Sequence, residues 1–391
     1  WTPWQCAMAG VLVVQRLVGE PVSIAVAEGD VMGKVRAETA AFLEMPTSQL
    51  RLVCGTCVIA DLDPVSNFLG EPGVTAIVVP GGLALAGMKD GSLRICDLSA
   101  SSMCTLGEEC QHRHRNCIHA ISADLITSKK AVSASSDFTL RVWDLQRLCC
   151  LGSLEGHRGA VLSVCACFLH GKAVSGSVDR SLRVWDLEAM ACLTVLTQDD
   201  MCLCLSASFQ VPVPLAPCAV SAGVDSKLRI WNIEAASHIG TLEGHQGAVV
   251  NVCADFAEQR ALSAATDHCL CLWDLEARVC LARHMLEGMS CHLGLLSADF
   301  VVQRALLAVG GRSLLVWDLS KFEKVKEGAN PGDVQVLAAD FSLQKAVVAS
   351  DSGTFHLWDL ESMICTAVLE DSASRGSIPF ALSVDFGATM C

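Results

Sequence analysis

A strand-like segment ending in an aromatic residue and an acid recurs along this chain, and that recurrence limits what the chain can fold into. The copies are Leu93-Arg94-Ile95-Cys96-Asp97, Leu140-Arg141-Val142-Trp143-Asp144, Leu182-Arg183-Val184-Trp185-Asp186 and Leu228-Arg229-Ile230-Trp231-Asn232. Leu270-Cys271-Leu272-Trp273-Asp274, Leu314-Leu315-Val316-Trp317-Asp318 and Phe355-His356-Leu357-Trp358-Asp359 complete the set of seven. Self-similarity with a period of about 40 to 45 residues means one small unit repeated, each burying its apolar faces against its neighbours. Upstream of the pairs lies a second recurrent segment: Ser122-Ala123-Asp124-Leu125, Cys165-Ala166-Cys167-Phe168, Ser206-Ala207-Ser208-Phe209, Cys253-Ala254-Asp255-Phe256, Ser297-Ala298-Asp299-Phe300 and Ala338-Ala339-Asp340-Phe341. A further copy, Ser383-Val384-Asp385-Phe386, follows the last pair, whereas Thr75-Ala76-Ile77-Val78-Val79 ahead of the first pair does not carry the signature. Pairing residues 380–386 with a strand at 83–87 would supply the first unit from the C-terminus and leave no open sheet edge. The other reading is an eighth repeat cut short.

These segments resemble the WD-repeat family over residues 83–391, with Cys96 standing for the first Trp and Asn232 for the fourth Asp. The resemblance implies a mainly β fold, a seven-bladed propeller of four-stranded blades, spanning residues 81–391. It also implies a buried polar set in each typical repeat. Two repeats match that set at identical spacing: His157, Ser175, Asp179 and Trp185, then His245, Ser263, Asp267 and Trp273. Ser133, Asp137 and Trp143 form a third, with His114 as a slightly displaced fourth member. Together such groups can satisfy one another's buried donors and acceptors. His, Ser and Asp also make up a hydrolytic triad, but repetition around a ring points to structure, and no catalytic residue is assigned.

Residues 8–80 have a different grammar. Val11 to Leu17 reads as a strand, Val22, Ile24 and Val26 alternate as a second, and Asp30 can cap a helix over Val31 to Glu44 that stops before Pro46. Leu50 to Cys54 is the next strand, Val65 to Leu69 a short helical turn and Val74 to Val79 the last strand. The order, with Leu17-Val18-Gly19-Glu20, Pro46 and Arg51-Leu52-Val53, resembles a small α+β ubiquitin-like domain. That resemblance implies a docking patch around Leu52 and Val53; the alternative is that both are core.

The net charge of -14, with only 28 Lys and Arg, argues against nucleic acid as the main partner. The uncharged run from Met201 to Val224 is long enough for a bilayer but is interrupted by Pro212, Pro214 and Pro217, and reads as two strands joined by a loop rather than a membrane span. Cysteine, 22 residues in all, appears inside apolar runs as a small core side chain. With no secretory leader and no glycosylation acceptor, a cytoplasmic or nuclear setting is expected. Cys54-Gly55-Thr56-Cys57 has a metal-knuckle spacing without a second pair, and Cys110, His112, His114 and Cys117 crowd one loop. No metal site and no cofactor is expected from either.

Candidate contact residues are those just before the turn acids or in equivalent turns: Lys89, Ser136, Val178, Val224 and Thr266. The expected function is a monomeric protein-binding adaptor whose propeller holds one partner and whose ubiquitin-like domain recruits another, from the ubiquitin pathway among others. Alternatives are a ribosome-assembly factor docking that domain on a large ATPase, a cullin-type substrate receptor and a hydrolase. The cullin-type reading lacks the Trp-Asp-x-Arg ending.

Overall fold

The computed structural model describes residues 8–16, 22–27, 50–54, 57–58 and 74–78, then 82–98, 102–106, 113–125, 127–209, 218–286, 295–369 and 378–385. The chain divides into two compact units, Trp1–Gly81 and Gly82–Cys391.

In the first unit the described residues form one mixed sheet. Its strand order is Val22–Ala27, Met8–Arg16, Val74–Val78, Leu50–Cys54, Cys57–Val58. Met8–Arg16 runs parallel to Val74–Val78, with Gln15 opposite Thr75, and the other neighbours are antiparallel. The first strand begins at Met8, three residues ahead of the alternation that marks it. Cys57–Val58 is an edge that the sequence does not announce, formed because Cys54 and Cys57 pair across a hairpin. The helix expected over Val31 to Glu44 and the turn over Val65 to Leu69 lie outside the described residues.

In the second unit seven four-stranded antiparallel sheets follow one another. The inner strands are Ile118–Asp124, Val161–Cys167, Cys202–Ser208, Val249–Asp255, Leu296–Asp299 and Val334–Asp340 in blades two to seven, and Pro379–Asp385 in blade one. Each packs beside the next, and Pro379–Asp385 packs beside both Val334–Asp340 and Ile118–Asp124, so the blades close into a ring. This is a seven-bladed β-propeller. Blade one is composite: Pro379–Asp385 pairs antiparallel with Leu83–Met88, with Ser383 opposite Leu85. Met201 to Val224 contributes the strands Cys202–Ser208 and Cys218–Gly223 of blade four. Among the described residues no helix is long and apolar enough to cross a membrane.

The core lies between blades. Trp185 of blade three packs with Val132, Leu140 and Val142 of blade two, Trp273 with Val220, Leu228 and Ile230 of blade four, and Trp317 with Leu262, Leu270 and Leu272 of blade five. Period-two alternation turns one face of each blade toward each neighbour, which is why both faces are apolar and why the repeat needs neighbours. Where blade one meets blade seven the ring is replaced by Cys96. The facing position, Leu in the other blades, is the larger Phe355, which is fully buried in the same cluster. The acid after each Trp has its own task. Asp144 accepts from the N–H groups of Gln146 and Arg147, Asp186 from those of Glu188 and Ala189, and Asn232 from that of Ala235 at 2.7 Å. Asn232 keeps the acceptor oxygen, so the turn survives the change from Asp.

Candidate binding face and the networks beneath it

Blade three shows the chemistry most completely. Trp185 Nε1, which can only donate, gives its hydrogen to Ser175 Oγ at 2.8 Å. Ser175 Oγ lies 2.7 Å from His157 Nε2, and His157 Nδ1 lies 2.8 Å from Asp179 Oδ2. A neutral imidazole donating from Nδ1 to the carboxylate and accepting at Nε2 from the serine hydroxyl satisfies every group in the line. Gly156, at φ +148°, makes room: a Cβ there would come within 2.7 Å of the Arg183 guanidinium. Blade five repeats the line with His245, Ser263, Asp267 and Trp273, at 2.7 Å for Ser–His, 2.8 Å for Trp–Ser and 3.1 Å for His–Asp.

Blade two has a complete line as well. His114 Nδ1 lies 2.9 Å from Asp137 Oδ2 and Nε2 lies 2.7 Å from Ser133 Oγ, which also accepts from Trp143 Nε1 at 2.8 Å. His114 is therefore not displaced. It stands as far ahead of Ile118 as His157 does ahead of Val161, and the extra residue falls later, between Asp124 and Lys130. Its place in this line commits the ring. Cys110 and His112, the other crowded loop residues, lie outside the described residues.

Burial favours the neutral imidazole and lowers the pKa of His157 and His245, against the opposing pull of Asp179 and Asp267. Burial alone would raise Asp179, but hydrogen bonds from Ser181, Arg158 N–H and His157 outweigh it and bring the carboxyl to about 2. Asp137 and Asp267 are likewise held below the ordinary carboxylate range by their hydrogen-bond donors, burial notwithstanding. Ser133, Ser175 and Ser263 are 0% exposed. Each hydroxyl already takes a tryptophan N–H, so these Ser-His-Asp sets are out of reach of a substrate.

Blades four and seven solve the same problem with other residues, which the sequence reading missed, and blade six does not. In blade four Ser221 Oγ accepts from Trp231 Nε1 and donates to Gln198 Oε1 at 2.9 Å, so an amide stands in for the imidazole. In blade seven Trp358 Nε1 donates to Asn330 Oδ1 at 3.2 Å. In blade six Leu307 occupies the serine position, Trp317 Nε1 is buried with no hydrogen-bond partner among the described residues, and His284 packs edge-on at 4.7 Å. The signal for Gln198 and Asn330 is their position ahead of an inner strand, where Gly-His stands elsewhere.

These lines hold in place the face on which the inner strands begin. Lys89, Ser136, Val178, Val224 and Thr266 all occupy its turns. Lys89, Val224 and Thr266 are exposed; Ser136 is half-buried, with its Oγ 2.6 Å from His119 Nε2. Val178 is also half-buried, which corrects its expected exposure, and its N–H donates to the Ala160 carbonyl as that of Thr266 does to Ala248. Two exposed apolar residues on this face escaped the sequence reading, Phe138 and Met201. At its centre a channel of about 410 Å3 opens between inner strands, walled by Leu162, Leu203, Val250 and Phe380, with His119 and Gln335 as polar members. Leu52 and Val53 lie in the strand Leu50–Cys54 of the first unit, opposite Ala76 and Thr75.

The WD domain, G-beta repeat family matches residues 148–186 and 236–274. Each segment ends on the Trp-Asp pair of a blade whose His, Ser, Asp and Trp form a complete line. The chain carries WD40 repeats. The two matched WD40 repeats contain blades three and five up to their third strands, together with the outer strands of blades two and four. No curated protein matches the chain. WD40 propellers commonly bind other proteins.

Proposed function

We propose that the chain is a non-catalytic scaffold in which the propeller holds one protein on the face where its inner strands begin and an N-terminal ubiquitin-like domain recruits another. The observation that carries the first half is the set of exposed apolar side chains, Phe138, Met201 and Val224, on this rigid face around the apolar channel mouth. Exposed apolar groups on a network-braced surface suit a partner that buries them, since the face has no folding use for them. The second half is supported by the mixed sheet of the first unit, whose central pair is parallel and whose hairpins lie at either side, an order that a β-grasp domain shares. The test is cross-linking capture with three full-length chains: the native one, F138D/V224D and L52D/V53D. Each variant is expected to lose a different set of captured proteins while keeping its melt. A variant that loses none sinks the half of the reading assigned to it.

A further inference from the structure

Positive charge is spread unevenly over the face where the inner strands begin. On blades four to six the cations here are paired: Lys227 with Glu243 at 2.7 Å, Arg229 with Asp225, Arg283 with Asp267 at 3.3 Å and Arg312 with Asp333 at 2.8 Å. On blades one to three Lys89, Arg113, Arg115, Arg158 and Arg180 are all exposed, and none forms an ion pair among the described residues. In a chain with a net charge of -14, five cations with no ion pair among the described residues are thus gathered in one sector.

Their backbones are held. The N–H groups of Arg115 and Arg158 donate to Asp137 and Asp179 at 2.9 and 2.8 Å, so two cations hang directly from the buried lines. Arg180 and Phe138 each follow a network acid, in the left-handed region at φ 64° and 72°. Phe138, 48% exposed, projects a large apolar ring from a strained turn among these cations. The channel mouth adjoins the same sector: His119, in its wall, is bonded to Ser136 in the blade-two turn, and its ring meets Phe380 edge-on at 6.3 Å.

Building on the scaffold reading, we propose that this sector binds an acidic peptide segment, its carboxylates facing the five cations and one large apolar side chain entering the channel between Phe380 and Leu162. The cations are set on different blades around an apolar opening, which fits an extended chain of spaced carboxylates better than a single anion. A nucleic acid would need a longer basic track than this, against the repulsion of the remaining surface.

The test uses the full chain and a fluorescein-labelled peptide of about twelve residues, alternating Glu and Asp with a central Leu, read by fluorescence anisotropy. Binding should weaken about tenfold or more in R115E/R158E/R180E, and in the native chain on going from about 50 mM to about 300 mM NaCl. It should persist in K130E/R147E/K172E, which carries the same charge change on the opposite face. Replacing the central Leu by Ser should weaken it about tenfold. The salt arm keeps the test decisive if the triple variant fails to fold. Equal binding of a Lys/Leu peptide, or of an oligonucleotide of the same charge, would overturn the proposal. If the acidic peptide fails while F138D/V224D still loses captured proteins, the charge preference falls and the scaffold reading stands.

Discussion

Blade three and blade one hold themselves together in different ways. Blade three is continuous in sequence, presents Trp185 to its neighbour and ties ring, hydroxyl, imidazole and carboxylate into one line. Blade one joins residues 379–385 to residues 83–106, has Cys96 in place of the ring, and has Ala86 where blade three has Ser175. Asp90 still accepts from the N–H and hydroxyl of Ser92, as Asp179 does from Ser181, and among the described residues no imidazole bonded to a serine completes a line in blade one. The polar line is therefore an addition to a blade rather than a condition for having one. What every blade shares is four paired strands and apolar contact with both neighbours.

The comparison is broken most forcefully at blade one. Deleting residues 378–391 removes the partner of Leu83–Met88 and bares its backbone groups together with Leu85, which is 0% exposed. The melting temperature should fall by at least about 10 °C, with aggregation visible by light scattering. A monomeric truncated chain with an unchanged melt would show that the pairing contributes nothing. Next comes the core position. Trp185→Ala should cost about 3 to 5 kcal/mol in chemical denaturation, against about 1 kcal/mol for Cys96→Ala, because only the first leaves a ring-sized void. Equal losses would mean that the interblade core is indifferent to the ring. At the turn acids, Asp179→Ala should cost about 1 to 3 kcal/mol by stranding His157.

Acid should separate the blades further. Asp179 is depressed in the fold, so its stabilisation is complete above the unfolded carboxyl value near 4 and is lost as pH falls toward about 2. His157 and His245 are also lowered, by burial, so the unfolded chain binds protons first as pH drops through about 6.5. Both terms weaken the fold on acidification, in two windows that denaturation midpoints measured across pH should resolve. A small effect is also expected from His157→Gln, about 1 kcal/mol, because blade four already uses Gln198 in this role. That variant should flatten the first window, and an unaltered slope there would assign it to other histidines.

Much of this was legible in the sequence because the informative residues are tied to a period. Trp185 and Trp273 recur where strand alternation demands an interblade contact, and His157, Ser175 and Asp179 share their spacing with His245, Ser263 and Asp267. His114 looked displaced because sequence distance counts a residue in the turn before Lys130 that does not alter the line. Gln198 and Asn330 were not legible: hydrogen bonding requires an acceptor at a point in space, and several side chains supply one. The channel wall was hidden for a related reason, since Leu162, Leu203, Val250, His119, Gln335 and Phe380 share a place on the inner strands but no residue type. Leu52 and Val53 read as strand residues and lie in one, which does not distinguish docking from core.

The composite blade also sets a clock. The strand Leu83–Met88 leaves the ribosome about 300 residues before its partner Pro379–Asp385. At the ordinary pace of synthesis of about 5 to 20 residues per second, that interval is about 15 to 60 s. Six blades can pair their own strands as they emerge, yet the ring has nothing to close on until the final segment arrives. For that time the nascent chain carries an unsealed edge, and its surest guardian is whatever shields apolar strands near the exit tunnel. Codon choice in the last repeat would then govern how long the protein remains vulnerable.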